Sequence, residues 1–98
     1  MNNEAAKRLL ERTSEQNIRK LEEQIQHLKS KAVRAPAGGR IKCYEAIQDL
    51  TDRRSALLTK LDEVKDADVA SWESAYSVLN EAYDELAEAI ARTRFLLS

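Results

Sequence analysis

Large apolar and aromatic side chains recur at alternating steps of four and three near the end of the chain. They are Trp72, Tyr76, Leu79, Tyr83, Leu86, Ile90, Thr93 and Leu97. An average spacing of about 3.5 residues keeps one face of an α-helix apolar along its length, as in a coiled coil. Residues 69–97 are therefore predicted to form a helix. Small residues spaced by seven on one flank of this seam (Ala75, Ala82 and Ala89) predict the close approach of a neighbouring helix there.

Two earlier segments show the same periodicity. A helix over about 4–34 is predicted from Ile18, Leu21, Ile25, Leu28 and Ala32, although Glu11 and Ser14 weaken the seam upstream. A helix over about 40–65 is predicted from Ile47, Leu50, Leu57, Leu61 and Val64. Arg54 falls at a position of this second seam where an apolar residue is expected. A lone polar residue at such a position typically lowers stability and fixes the register or the partner.

The segment Ala35-Pro36-Ala37-Gly38-Gly39 separates the first two helices. Proline lacks an N–H donor and clashes with the preceding turn, and each glycine costs roughly 1 kcal/mol inside a helix. Glycine also adopts left-handed angles readily, which suits a loop that reverses the chain. A second turn is predicted at 66–68, with Asp68 as the N-cap of the third helix.

These segments predict an all-α protein, an antiparallel three-helix bundle or coiled-coil hairpin, as a single domain over residues 1–98. The alternative is one long kinked helix with a shorter helix folded back, because packing can carry a helix through a proline. Apolar residues at 43% and charged residues at 34% suit either arrangement. The sequence leaves open whether the first helix packs on its own chain or on another copy.

The charge is unevenly distributed along the chain. Residues 1–42 contain ten Lys or Arg against five Asp or Glu, whereas residues 43–98 contain six against twelve. This asymmetry predicts that the first segment packs against the remainder. No apolar run is long enough for a secretory signal or a membrane span, so a cytoplasmic location is expected.

Part of the chain, about residues 40–90, resembles a family of small bacterial coiled-coil proteins, often described as stress-response or hypothetical proteins. The resemblance depends on Arg40-Ile41-Lys42, Tyr44-Glu45, Ile47, Leu50, Arg54, Lys60-Leu61, Glu63, Lys65, Trp72-Glu73 and Leu86. It implies a stress-associated coiled coil and supplies no catalytic or cofactor residues. In that family the first helix usually continues through the region of residues 34–40, where this chain has Pro36, Gly38 and Gly39.

Residues that could carry chemistry are few. His27 is the only histidine and is expected on the surface, while the single Cys43 has no partner for a disulfide or a redox cycle, and its role is left open. The acidic residues of 62–68 lack the spacing of a helix–loop–helix calcium site. The sequence therefore predicts no enzyme activity, no metal site and no cofactor.

The function expected from these patterns is non-enzymatic. The chain is predicted to act by self-association or by helix-mediated protein binding. The candidate interface and core residues are Ile18, Leu21, Ile25, Leu28, Ile47, Leu50, Arg54, Leu57, Leu61, Val64, Trp72, Tyr76, Leu79, Tyr83, Leu86 and Ile90. The alternative is an adaptor that binds nucleic acid or a larger protein through its basic first helix. Nucleic acid is the less expected partner, because glutamates intersperse the cations of that helix.

Overall fold

The computed structural model describes residues 3–98, which form three helices: α1 (Asn3–Val33), α2 (Arg40–Asp66) and α3 (Trp72–Leu96). Contacts between α1 and α2 run in opposite directions along the two helices, and α2 and α3 are likewise antiparallel. α1 and α3 are therefore parallel neighbours. The bundle is elongated, with extents of 57 × 16 × 16 Å. The predicted all-α three-helix bundle is confirmed, and the alternative of one long kinked helix is not what the chain forms.

The core runs the length of the bundle and takes side chains from all three helices. Its fully buried large residues are Ile25, Leu28, Leu50, Leu57, Val64, Leu79, Leu86 and Ile90. Of the helix pairs, α2 and α3 share the most extensive contact. Ala89 is buried and Ala75 and Ala82 are partly buried against this core. Thr93 is also buried, and its hydroxyl donates a hydrogen bond of 2.9 Å to the Ala89 carbonyl, so no polar atom of this side chain is left unsatisfied.

The turn between α1 and α2 uses an extended proline and one short 3-10 turn. Pro36 has φ −58° and ψ 148°, and Ala37–Gly39 form the 3-10 turn, in which the Gly39 N–H donates to the Pro36 carbonyl at 2.9 Å. Neither glycine has a positive φ. The expectation of left-handed glycines is therefore wrong, because the extended proline and the 3-10 turn reverse the chain in ordinary backbone regions.

The turn between α2 and α3 is organised by Asp68. Its Oδ1 accepts hydrogen bonds from the Ala70 N–H at 3.1 Å, the Ser71 N–H at 3.0 Å and the Ser71 hydroxyl at 2.8 Å. Bonds to the N–H groups two and three residues further on are those of a helix N-cap. Asp68 therefore caps the turn that leads into α3, but the predicted N-cap position is wrong, because α3 begins at Trp72 with Ser71 as its N-cap. The other helix ends lie within one residue of the predicted ones.

The first third of α1 continues the bundle with polar side chains on its inner face. Lys7 Nζ lies 3.1 Å from Glu11 Oε2 and donates a hydrogen bond of 3.0 Å to the Lys65 carbonyl in the last turn of α2. Only 15% and 17% of the Lys7 and Glu11 side chains are exposed. Lys7 therefore satisfies a carbonyl at the end of α2 that has no partner within its own helix.

Candidate interaction surfaces

The apolar side chains of the predicted seams pack against one another within one chain. Residues Ile18, Leu21, Ile25, Leu28, Ile47, Leu50, Leu57, Leu61, Val64, Trp72, Leu79, Leu86 and Ile90 are buried. Tyr76 and Tyr83 are partly buried against the same core. Arg54 differs from the rest, because 40% of its side chain is exposed. A partner of the folded bundle must therefore contact residues outside most of this set.

The ion pairs between helices reverse the expected arrangement of charge. Arg54 of α2 bonds to Glu22 of α1 at 2.6 Å, and Lys65 of α2 lies 3.5 Å from Glu15 of α1. α1 thus supplies the carboxylates and α2 the cations, although α1 is the more basic segment. The first segment packs against the remainder as predicted, but in these two pairs its carboxylates face cations of α2. Other cations of α1, such as Arg19, are exposed to solvent.

A small recess of about 50 Å³ lies between the parallel helices α1 and α3. We call it the α1–α3 groove; it is lined by Ser14, Asn17, Ile18, Tyr76, Leu79, Asn80 and Tyr83. Ile18 and Leu79 form its buried floor, and the two tyrosines are half-buried at its side. Asn17 and Asn80 place one amide from each helix at the rim. Aromatic rings beside amide groups supply both apolar area and hydrogen-bonding capacity.

Trp72 begins α3 beside this groove. Its ring is edge-on to the Tyr76 ring, with centroids 6.4 Å apart and an interplanar angle of 63°. The side chain is buried, and within the described chain its Nε1–H makes no hydrogen bond. The ring therefore contributes to packing, in line with its place in the predicted seam, and joins Tyr76 at the end of the groove.

Basic and apolar side chains are concentrated at the end of the bundle that contains the α1–α2 turn. We define the basic end as residues 24–44 and 89–98, which contain seven Lys or Arg and no Asp or Glu. The seven cations are all exposed: Lys29, Lys31, Arg34, Arg40, Lys42, Arg92 and Arg94. Five of the eight large apolar residues exposed on the described chain are here as well: Val33, Ile41, Tyr44, Phe95 and Leu96.

The residues considered for chemistry lie apart from one another. His27 is exposed on α1, whereas Cys43 is buried in α2 as a free thiol. Across residues 3–98, no three His, Cys, Asp or Glu side chains come together in a way that could hold a metal ion. None of the helices described here has a stretch both long enough and apolar enough to cross a bilayer.

The geometry defines a class of protein, the small all-α bundle with an apolar core shared by three helices and two surface features. Comparison with known proteins adds no family to this description: no family model, curated protein or solved structure matches the chain. Sequence analysis named Ile18, Tyr76, Leu79 and Tyr83 as core or interface residues without placing them in one groove, and it missed the basic end. The α1–α3 groove depends on the parallel pairing of α1 and α3, and the basic end depends on bringing residues 89–98 beside residues 24–44.

Proposed function

We propose that this chain is a non-enzymatic binding protein that associates through its helices, either with a second copy of itself or with a helix of a partner protein. The observation that carries the proposal is the α1–α3 groove. It is the place on the bundle where half-buried aromatic rings, an apolar floor and amide groups from two helices occur together. Tyrosine-rich, partly apolar surfaces are typical of protein interfaces.

The groove has a volume of about 50 Å³, so a docked helix would lie across its mouth and insert a side chain into it. It lies between two parallel helices, so a helix of the partner docked there would contact both α1 and α3. The complex would then be a four-helix bundle. Tyr76 and Tyr83 are seven residues apart on α3, which is two helical turns, and Asn80 lies between them. Anchors at this spacing match the side chains that a docked helix presents on one face.

A stress-associated role in bacteria forms part of the proposal and comes from the resemblance of residues 40–90 to small bacterial coiled-coil proteins. The feature of the folded bundle that supports such a role is the proposed protein-binding surface. Expression of the chain and its partners before and after stress in the native host tests this part separately from the binding itself.

Sedimentation velocity or light scattering at tens of micromolar tests the self-association. The informative variant is Asn80→Arg, which places a charged side chain at the rim of the groove without touching the core. The matched control is Ser77→Arg, which places the same side chain on an exposed position of the same helix. We expect the wild type and Ser77→Arg to associate and Asn80→Arg to remain monomeric.

A monomeric wild type overturns self-association and leaves the partner-helix form of the proposal to be tested by cross-linking in the native host. A p-benzoylphenylalanine at Asn80 should capture the partner, and the same group at Ser77 should not. Equal capture at both positions, or none at either, overturns the groove as the binding surface.

The alternative function, an adaptor that binds through the basic first helix, is not favoured by an observation along α1. Glu15 and Glu22 lie among the cations of that helix and face cations of α2. The surface with cations and no carboxylates is the basic end, which takes residues from all three helices.

A further inference from the structure

The basic end combines unpaired cations with five of the eight exposed large apolar residues of the described chain. Its seven cations are exposed, and none of them forms a salt bridge within the part of the chain described. Elsewhere, Lys7, Arg53, Arg54, Lys60 and Lys65 have carboxylate partners, whereas Arg8, Arg12, Arg19 and Lys20 of α1 are exposed without one in the described chain. The charge of the basic end is therefore available to an external anion.

Exposed apolar side chains occur at the same end. Phe95 in the last turn of α3 is 85% exposed, and Ile41 in the first turn of α2 is 72% exposed. Val33, Tyr44 and Leu96 add further apolar surface. The turn Ala35–Gly39 at this end contains only small, uncharged residues. No bulky or acidic side chain of the turn would therefore prevent a flat surface from contacting the end of the bundle.

We propose that the basic end docks onto an anionic lipid bilayer, with its cations at the headgroups and Ile41 and Phe95 inserted among them. An anionic bilayer attracts cations to its headgroups and also buries exposed aliphatic side chains in its interface. The phosphates of a nucleic acid would pair with the cations, and its bases could stack on Phe95 or Tyr44. A nucleic acid has no comparable apolar group to bury Val33, Ile41 and Leu96. A second copy would oppose seven cations to seven within the Debye length of about 8 Å.

Charge on the shaft determines the orientation of docking. Exposed carboxylates line the middle of α3 at Glu81, Asp84, Glu85 and Glu88, and α2 carries Glu45, Asp49 and Asp52. A bundle lying flat on either helix would bring these groups against anionic headgroups. On α1 the exposed cations Arg8, Arg12, Arg19 and Lys20 are accompanied by exposed Glu4 and Glu23, whereas the basic end has no Asp or Glu. We therefore place the contact at this end, with α3 rising from the membrane and Trp72 roughly 35 Å from Phe95 along the helix. This docking requires neither self-association nor the α1–α3 groove.

Vesicle co-sedimentation tests the proposal with the full chain. Vesicles of phosphatidylcholine with phosphatidylglycerol should bind the protein, whereas vesicles of phosphatidylcholine alone should not, and added salt should weaken the binding. Equal binding to both vesicle types, or binding to neither, overturns the proposal. Binding to a duplex or single-stranded oligonucleotide without binding to anionic vesicles assigns the basic end to nucleic acid and also overturns it.

Paired variants locate the contact. Ile41→Ser with Phe95→Ser should lower the vesicle affinity by about tenfold or more, since each side chain loses its burial in the interface. Leu9→Ser with Val78→Ser, which removes exposed apolar residues from the shaft, should bind like the wild type. Arg34→Glu with Lys42→Glu should abolish binding, whereas Arg12→Glu with Arg19→Glu, an equal change in net charge on α1, should retain most of it. Equal losses in the two members of either comparison overturn the assignment.

Tryptophan emission reports the orientation. In the wild type, Trp72 lies at the far end of α3, so its emission should not change when anionic vesicles are added. In a variant with Trp72→Phe and Phe95→Trp, the emission should move to shorter wavelength. A shift at Trp72, or none at position 95, contradicts end-on docking. Circular dichroism confirms that every variant keeps its helices.

Discussion

Arg54 Nε donates a hydrogen bond of 2.6 Å to Glu22 Oε2, and this bond joins α2 to α1 at a position where the α2 seam is otherwise apolar. The aliphatic part of the arginine continues the seam, while the guanidinium reaches the carboxylate at the edge of the bundle. The side chains of Arg54 and Glu22 are 40% and 28% exposed, so solvent screens their attraction. The pair joins the turn of α1 that contains Glu22 to the turn of α2 that contains Arg54.

A double-mutant cycle with Arg54→Met and Glu22→Gln measures the strength of this pair. We expect a coupling free energy of about 0.5–1 kcal/mol that falls as salt is added, because the pair is partly exposed. Arg54→Leu should raise the melting temperature, since it replaces a partly solvated charge with an apolar side chain at a seam position. A coupling of zero would mean that the two side chains are independent in solution.

Gly38→Ala should stabilise the bundle by about 0.4–1 kcal/mol, because it reduces the conformational freedom of the unfolded chain. The position has no positive φ, and a Cβ there would meet no atom within 4 Å. Urea unfolding at constant m-value measures the change. A destabilised variant would show that Gly38 adopts a left-handed conformation in solution. Gly39→Ala is the comparison, and its gain should be smaller because glycine is the better residue at the N-cap of α2.

Leu86→Ala should lower the free energy of unfolding by about 2–5 kcal/mol, because Leu86 is fully buried in the core. Replacing Leu79 and Leu86 together with Asp should unfold the chain, since each substitution buries an unpaired carboxylate. Val78→Ala, at a side chain that is 43% exposed, is the control and should stay within about 0.5 kcal/mol of the wild type. Helical circular dichroism and cooperative melting retained in the double Asp variant would contradict the observed core.

Asp68→Ala should lower the melting temperature at neutral pH, because the Ala70 and Ser71 N–H groups lose their acceptor. The hydrogen bond from the Ser71 hydroxyl, followed by that from the Ser71 N–H, holds the pKa of Asp68 below its ordinary value. A lowered folded-state pKa means that the carboxylate stabilises the fold fully above the unfolded-state pKa and loses this contribution as pH falls through the folded-state pKa.

The difference in melting temperature between the wild type and Asp68→Ala should therefore be constant near neutral pH and shrink in acid. Asp66→Ala is the control, because Asp66 lies at the C-terminus of α2, where a negative charge is unfavourable. It should leave the melting temperature unchanged or slightly raised. A difference for Asp68→Ala that grows in acid would mean that the carboxyl is bonded in its protonated form.

The helices and their inward faces could be predicted because a repeat of four and three is a local property of the sequence. Ile25, Leu57 and Ile90 are buried in the core formed by these faces. The conformation of the α1–α2 turn could not be predicted, because Gly38 and Gly39 permit left-handed angles but do not require them. The position of the Arg54 head could not be predicted either, since it depends on Glu22, 32 residues away along the chain.

The two surface features could not be predicted from local patterns. The basic character of residues 1–42 was visible in the sequence, but it was assigned to the first helix as a whole. Folding instead separates Arg12 and Arg19 on the shaft from Lys31, Arg34 and Lys42, which are joined by cations of α3 more than 45 residues further along the chain. Only the parallel alignment of α1 and α3 brings these groups to one end.

That alignment also has a consequence for how the bundle folds. α2 is shared by two hairpins, and each hairpin closes through a short turn between neighbours in sequence, which keeps the entropy lost on closure small. Contacts such as that of Arg94 with Gln24, which are 70 residues apart, arise only after both hairpins have closed. The boundary between α1 and α3 is therefore the part of the bundle whose contacts depend on both hairpins, and we expect substitutions there to weaken the cooperativity of melting.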